Sequence, residues 1–152
     1  MYLSWSLLRW LTDAYGPGFA GGGQGLQRAL IDNRAVGYNN IAAVVGVPIK
    51  TLLAQWAATL YTDDRVTGLD PKLTLSSWNL FDIYDVEATE TARLVPRSRA
   101  FASFTDNFSV RAGSSAYFRV SGSSRPATAV RIRNNSGGTL PSVMQVFVVR
   151  LR

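Results

Sequence analysis

The spacing of apolar residues changes once along this chain, and that change limits what it can fold into. Up to about residue 62 apolar side chains recur every three or four positions, the repeat of a helix face. Beyond the polar connector DDRVTGLDPK they alternate, the repeat of a strand. The change predicts an α+β chain, with an N-terminal small helical bundle over residues 1–71 followed by a C-terminal antiparallel β-sandwich over residues 72–152.

The first run, YLSWSLLRWLTDAYG, places Leu3, Leu7, Leu8, Trp10, Leu11 and Ala14 on one broad helical face and Ser6, Arg9 and Asp13 on the other. A membrane-spanning helix needs roughly 20 mostly apolar residues, and Arg9, Asp13 and the following GPG interrupt this one. A secretion signal would carry its positive charge first, whereas Arg9 sits in the middle. An amphipathic, core-facing helix fits best, with docking on a membrane or a large partner as the alternative.

GPGFAGGGQG predicts a mobile loop. It contains G-x-G-x-x-G at Gly16, Gly18 and Gly21, but a dinucleotide fingerprint follows a strand and this one follows a helix. LQRALIDNR (26–34) reads as a second helix, and YNNIAAVVG as a third, with Asn39 or Asn40 as its cap and Gly46 as its stop. Pro48 suits the start of a longer helix with Ile49, Leu53, Trp56 and Leu60 on its inner face. Lys50, Thr51, Gln55 and Thr59 then point outward.

In the second half LTLSSWNL and FDIYDVE favour strands, and RLVPRSRAF holds a proline suited to an edge or a loop. FSVRAG, SAYFRVSG, ATAVRIRN and VMQVFVVRLR are divided by turn-forming stretches, the rhythm of antiparallel strands. The last of these is apolar on both alternating faces, so it is expected to be a central, doubly covered strand. Arginines are expected on an outer face.

The sequence has no histidine and no cysteine. Imidazole and thiolate metal sites, Ser-His-Asp triads, Cys-His dyads and disulfides are excluded by that absence. The net charge is +6, and from Phe108 onward there are seven arginines and no acid. An excess of one sign suggests an anionic partner: lipid headgroups, nucleic acid or an acidic protein face. Tyr117 and Phe118 among these arginines superficially suit single-strand nucleic-acid binding, but alternation puts Phe118 inward, and a soluble positive face is preferred.

Two acidic clusters remain. Asp63, Asp64 and Asp70 could serve as an acid/base or calcium pair, yet negative charge at a helix C-terminus opposes the macrodipole, so solvated turn residues are expected there. Asp82, Asp85, Glu87 and Glu90 are expected to form a solvated face balancing Arg93, Arg97 and Arg99.

SLLRWLTDAYG, then LQRALIDNRAVGYNNIAAVVGVPIKTLLAQWAATLYTDD, then LTLSSWNL resembles the segment downstream of the zinc site in bacterial secreted metallopeptidases of the hyicolysin type. The likeness covers residues 3–80. It implies a helical subdomain leading into a β-domain and a bacterial extracytoplasmic setting. No catalytic residue carries over, because those enzymes hold zinc with the histidines of H-E-x-x-H and a downstream glutamate.

The expectation for function is a non-enzymatic structural or interaction subunit, with no cofactor and no metal, periplasmic or extracellular. It would dock on protein subunits of a larger bacterial complex, membrane-associated through its partners and possibly against an anionic lipid surface, with nucleic acid disfavoured and no transmembrane segment of its own. The contact residues expected are Trp5, Trp10, Arg111, Arg119, Arg131, Arg133, Arg150 and Arg152. One alternative is the C-terminal, non-catalytic portion of a secreted zinc metallopeptidase. A photosynthetic reaction centre with its antenna is an example of a host complex suggested from outside the residues, which show no pigment or redox ligands.

Overall fold

The computed structural model describes residues 2–80, 82, 94–100, 105–111, 113–122 and 129–150. Four helices form in the first half: α1 (Tyr2–Tyr15), α2 (Gly22–Asp32), α3 (Gly37–Val45) and α4 (Ile49–Thr62). The described β structure is two short strands, β1 (Arg97–Ala100) and β2 (Phe118–Ser121). The chain divides into two compact units, one of residues 1–92 with 143–152 and the other of residues 93–142.

The core of the first unit is Leu7, Trp10 and Leu11 from α1, Leu26 from α2 and Leu52 from α4, closed by Leu75 and Leu80 of the following segment. Burying side chains of this kind contributes about 1.5–3 kcal/mol each before chain entropy is counted. Around them pack Leu30, Ile41, Val44, Leu53, Trp56 and Leu60. Helical spacing supplied this stripe, with two corrections in α1: Ser6 is buried and Leu8 is exposed.

The glycine segment is ordered rather than a mobile loop. A 3-10 turn covers Gly16–Gly18, and α2 starts at Gly22, several residues earlier than its apolar repeat begins. Close approach explains the glycines. A Cβ on Gly16 would lie 2.8 Å from the Gly23 Cα, and one on Gly23 would collide with the Thr12 methyl. Only hydrogen at these positions lets the start of α2 lie against the end of α1.

Helix α3 ends as expected at Gly46, whose left-handed backbone (φ 72°) lets its N–H bond the Ala42 carbonyl. Its start differs, since Val36 precedes the first turn and the Asn40 side chain instead donates to the Leu30 carbonyl at 2.7 Å. Pro48 stands immediately before α4, where its missing N–H costs nothing. Among the described residues no single helix is long and apolar enough to cross a membrane. Helices α3 and α4 reach that length only together, across a 91° bend.

Thr59 does not point outward. It is fully buried on α4 with Leu52 and Thr62, residues spaced to fall on one stripe. Its hydroxyl shares its proton between the Gln55 carbonyl at 3.0 Å and the Lys72 carbonyl at 3.4 Å. Thr62 does the same with Ala58 and Leu73, both at 3.0 Å. Threonine is small enough to bury and can bond the carbonyl four residues back, so a polar residue occupies the inner face without an orphaned hydroxyl.

The expected antiparallel β-sandwich is absent among the described residues. β1 and β2 pair in parallel, with Arg97 opposite Phe118 and Ala100 opposite Ser121. The seventeen residues from 101 to 117 join them, and a long connection permits the parallel arrangement that a tight turn forbids. LTLSSWNL is turns and a short helical end rather than a strand, and FSVRAG and ATAVRIRN form no strand over their described residues. VMQVFVVRLR is not a central strand over residues 143–150: Val143 is 85% and Val148 84% exposed. Alternation shows that a segment is able to lie on a sheet; a ladder also requires a distant partner, which no local pattern supplies. FDIYDVE lies outside the described residues except for Asp82, which is helical and exposed.

Candidate functional site

The most developed arrangement of polar side chains lies where the end of α4 meets residues 72–80. Asp63, the residue after α4, is 2% exposed, and its carboxylate accepts backbone N–H bonds from Leu75 at 2.7 Å and Leu80 at 3.4 Å. The segment 75–80 therefore curls around one buried carboxylate. Burial raises the Asp63 pKa above the usual aspartate value, partly opposed by those two N–H groups and reinforced by Asp64 and Asp13.

Helix α1 ties down the same segment along its length. The Trp10 indole donates to the Lys72 carbonyl at 2.9 Å, the acceptor Thr59 also reaches. Asp13 accepts from the Ser77 N–H at 3.1 Å and from its hydroxyl at 2.5 Å, while Arg9 Nε donates to Ser77 Oγ at 2.6 Å. Arg9 and Asp13 themselves stand 4.0 Å apart. Trp5 and Trp78 stack at the surface with ring centroids 4.5 Å apart and planes 59° to each other. Further along, Tyr15 donates to Gln55 Oε1 at 2.6 Å, packs edge-on to Trp10 and lies under the Lys72 ammonium. Burial raises the Tyr15 pKa.

These bonds leave an open cleft of about 340 Å³ lined by Asp63, Asp64, Thr74, Leu75, Ser76, Ser77, Trp78 and Asn79. Asp64, in left-handed backbone at φ 55°, turns the chain out of α4, and Asn79 Oδ1 accepts from the Asp82 N–H at 3.1 Å. Among the described residues no group of three or more Asp or Glu side chains is placed to hold a metal ion.

The expected contact residues fall in different places. Trp5 remains 45% exposed, available to a partner, whereas Trp10 is fully buried and belongs to the core. Arg111, Arg119, Arg131, Arg133 and Arg150 are exposed, and Arg152 lies outside the described residues. Arg119 and Arg131 do not come together on one sheet face, because only the first of them is in a strand. Arg97 and Arg99 pair with Asp106, at 3.7 Å for Arg97; of the acidic cluster expected to balance them, only Asp82 is among the described residues. Asp85, Glu87, Glu90 and Arg93 are outside the described residues.

Asp63 is the residue that sequence reasoning misplaced, reading it as a solvated turn. One signal was there. A carboxylate directly after a helix C-terminus is disfavoured by the helix dipole, and such a residue persists where other donors hold it. Here the donors are the Leu75 and Leu80 amides.

No family model, curated protein or solved structure matches the chain at a significant level.

Proposed function

We propose that this protein is a non-catalytic interaction subunit that docks on a larger, membrane-associated bacterial assembly on the periplasmic side. The observation that carries this reading is the division of labour among its side chains. The acid, hydroxyl and indole groups of Asp13, Asp63, Thr59, Thr62 and Trp10 all bond within the helical unit and hold its fold. What remains at the surface is an aromatic pair, Trp5 and Trp78, with the neighbouring Leu8, and separately a set of exposed arginines. Stacked, partly exposed tryptophans are the type of side chain that dominates protein interfaces, and arginines suit an acidic partner face.

The test is recovery of the tagged chain from its source cells, followed by mass spectrometry. A defined set of subunits is expected to leave with it, and replacing Trp5 and Trp78 together by serine is expected to reduce their yield about tenfold, the effect of losing one strong contact. A monomer that leaves alone and ignores membranes and membrane complexes overturns the proposal.

A second reading is favoured by a specific observation. Arg9, Trp10, Asp13, Tyr15, Asp63, Ser77 and Trp78, all within the stretches that resemble hyicolysin-type peptidases, converge in one network. On this reading the chain is the non-catalytic C-terminal portion of such an enzyme, and its helical unit serves to brace a catalytic half. An H-E-x-x-H upstream in the same reading frame is the expected finding, and a stop codon directly before Met1 removes the reading.

A further inference from the structure

We propose that the cleft between the end of α4 and the 74–79 segment is a saccharide-binding site, in which Trp78 is the stacking surface and Asp64 and Ser76 are the hydrogen-bonding groups. The inference goes beyond the docking reading, since it concerns a small ligand held by Asp64 and Ser76; it shares only Trp78 with that reading.

Size comes first. At about 340 Å³ the cleft falls at the small end of the range for ligand sites, and it opens to solvent. Chemistry narrows the choice. The lining offers the hydroxyls of Thr74, Ser76 and Ser77, the Asn79 amide, carboxylates and one indole. A sugar presents hydroxyls that both donate and accept, together with a face of C–H groups that suits an aromatic ring.

The lining groups also divide into walls and contacts. Asp63 is occupied by the Leu75 and Leu80 amides, Ser77 by Asp13 and Arg9, and Thr74 by the Pro71 carbonyl. Among the described residues the Asp64 carboxylate and the Ser76 hydroxyl have no hydrogen-bond partner, and both are exposed. Trp78 keeps 40% of its surface in water although Trp5 packs on it. A free carboxylate, a free hydroxyl and a partly bare indole thus stand on a segment fixed from two sides, by Asp63 below and Asp13 on α1. That fixation lowers the entropy lost when a ligand binds.

Competing ligand classes fit less well. Anions would meet two aspartates. Among the described residues a metal ion would find Asp64 as the one lining carboxylate that accepts no N–H bond, since both Asp63 oxygens already do. An organic ammonium ion usually takes several aromatic walls, and among the described residues Trp78 is the one aromatic lining the cleft.

The experiment is an amide and indole NMR titration of the full chain with maltohexaose, cellohexaose and chitohexaose, each up to about 10 mM, the concentration range of a weak site. The Trp78 indole resonance is expected to move saturably with at least one of them, while that of buried Trp10 stays in place. Asp64→Asn is expected to weaken binding about tenfold, the loss of one charge-assisted hydrogen bond. Trp78→Ala is expected to abolish it. Because Trp78→Ala also removes packing from Trp5, Ser76→Arg, which obstructs the cleft from its exposed rim, is the second variant and is expected to abolish binding with the fold intact. Failure of all three sugars to move Trp78 overturns the proposal, as do shifts that survive both Asp64→Asn and Ser76→Arg. Movement with tetramethylammonium but with none of the sugars overturns it in favour of a cation site.

Discussion

In residues 2–80 several polar side chains of one element end on a distant element, whereas among the described residues of 94–150 several side-chain bonds join near neighbours in sequence. Trp10 reaches Lys72, Asp13 reaches Ser77 and Tyr15 reaches Gln55. Downstream, Ser114 bonds Arg111, Asn134 bonds Thr139 and Gly138, and Arg99 pairs with Asp106. A helix satisfies its own backbone, so its side chains are free to specify tertiary contacts. An isolated strand does not, and its apolar side chains define no place until another strand arrives. Apolar composition alone does not separate the regions, since Val143, Val146 and Val148 are as hydrophobic as the core leucines yet remain exposed.

The comparison breaks most sharply at Trp10. Trp10→Ala removes a fully buried ring and the bond to Lys72, and a loss of about 3–5 kcal/mol is expected. Denaturant titration followed by helical circular dichroism measures it, and a loss under 1 kcal/mol would show that α1 does not hold the 72–80 segment.

Next is Asp63→Ala, which orphans the Leu75 and Leu80 amides. The expected loss is about 2–4 kcal/mol from two buried unsatisfied donors. Asp63 also gives a pH signature. Its folded pKa is raised, so the folded state binds the proton more tightly than the unfolded one. The stability this proton adds is fully present below the unfolded aspartate value and is lost as pH rises through the folded value. Urea midpoints for the wild type and Asp63→Asn, compared from about pH 3 to pH 7, are expected to show the wild type losing ground relative to the variant as pH rises. A parallel pair of curves would contradict the burial of this carboxylate.

Gly16→Ala and Gly23→Ala force side chains into the α1–α2 contact and are expected to cost about 1–3 kcal/mol each. Gly18→Ala, with nothing near its Cβ position, is expected to be neutral or stabilising by up to about 1 kcal/mol. Thermal melts of the three variants separate a packing role from simple loop flexibility. The smallest effect is expected at Val148→Ala, within about 0.5 kcal/mol, because that side chain is already in water. A loss above 1 kcal/mol there would mean that the segment is covered in solution by another molecule.

Much of the helical half was legible in the residues. The period of Leu7, Trp10 and Leu11, the proline before α4 and the glycine after α3 each act within a few residues, so sequence shows them directly. Illegible were the features that depend on distant neighbours. Thr59 reads as outward until the Lys72 carbonyl is placed beside it, and Asp63 reads as solvated until residues 75–80 fold back over it. The glycine run reads as a loop until α1 supplies the surface it must approach. Of the site proposed here, Trp78 and Asp64 are fourteen residues apart in sequence and nothing local joins them.

By itself the sequence determined the amphipathic helices, the absence of imidazole and thiol chemistry, and the concentration of arginine beyond Phe108. The tertiary structure decided which polar groups are buried and how the alternating segments pair: the carboxylate of Asp63 under two amides and, among the described residues, two short parallel strands in place of a sandwich. The physical reason is range. Helix hydrogen bonds close within four residues and are set by local residues, whereas sheet ladders and buried polar contacts join segments whose meeting is fixed only by the folded chain.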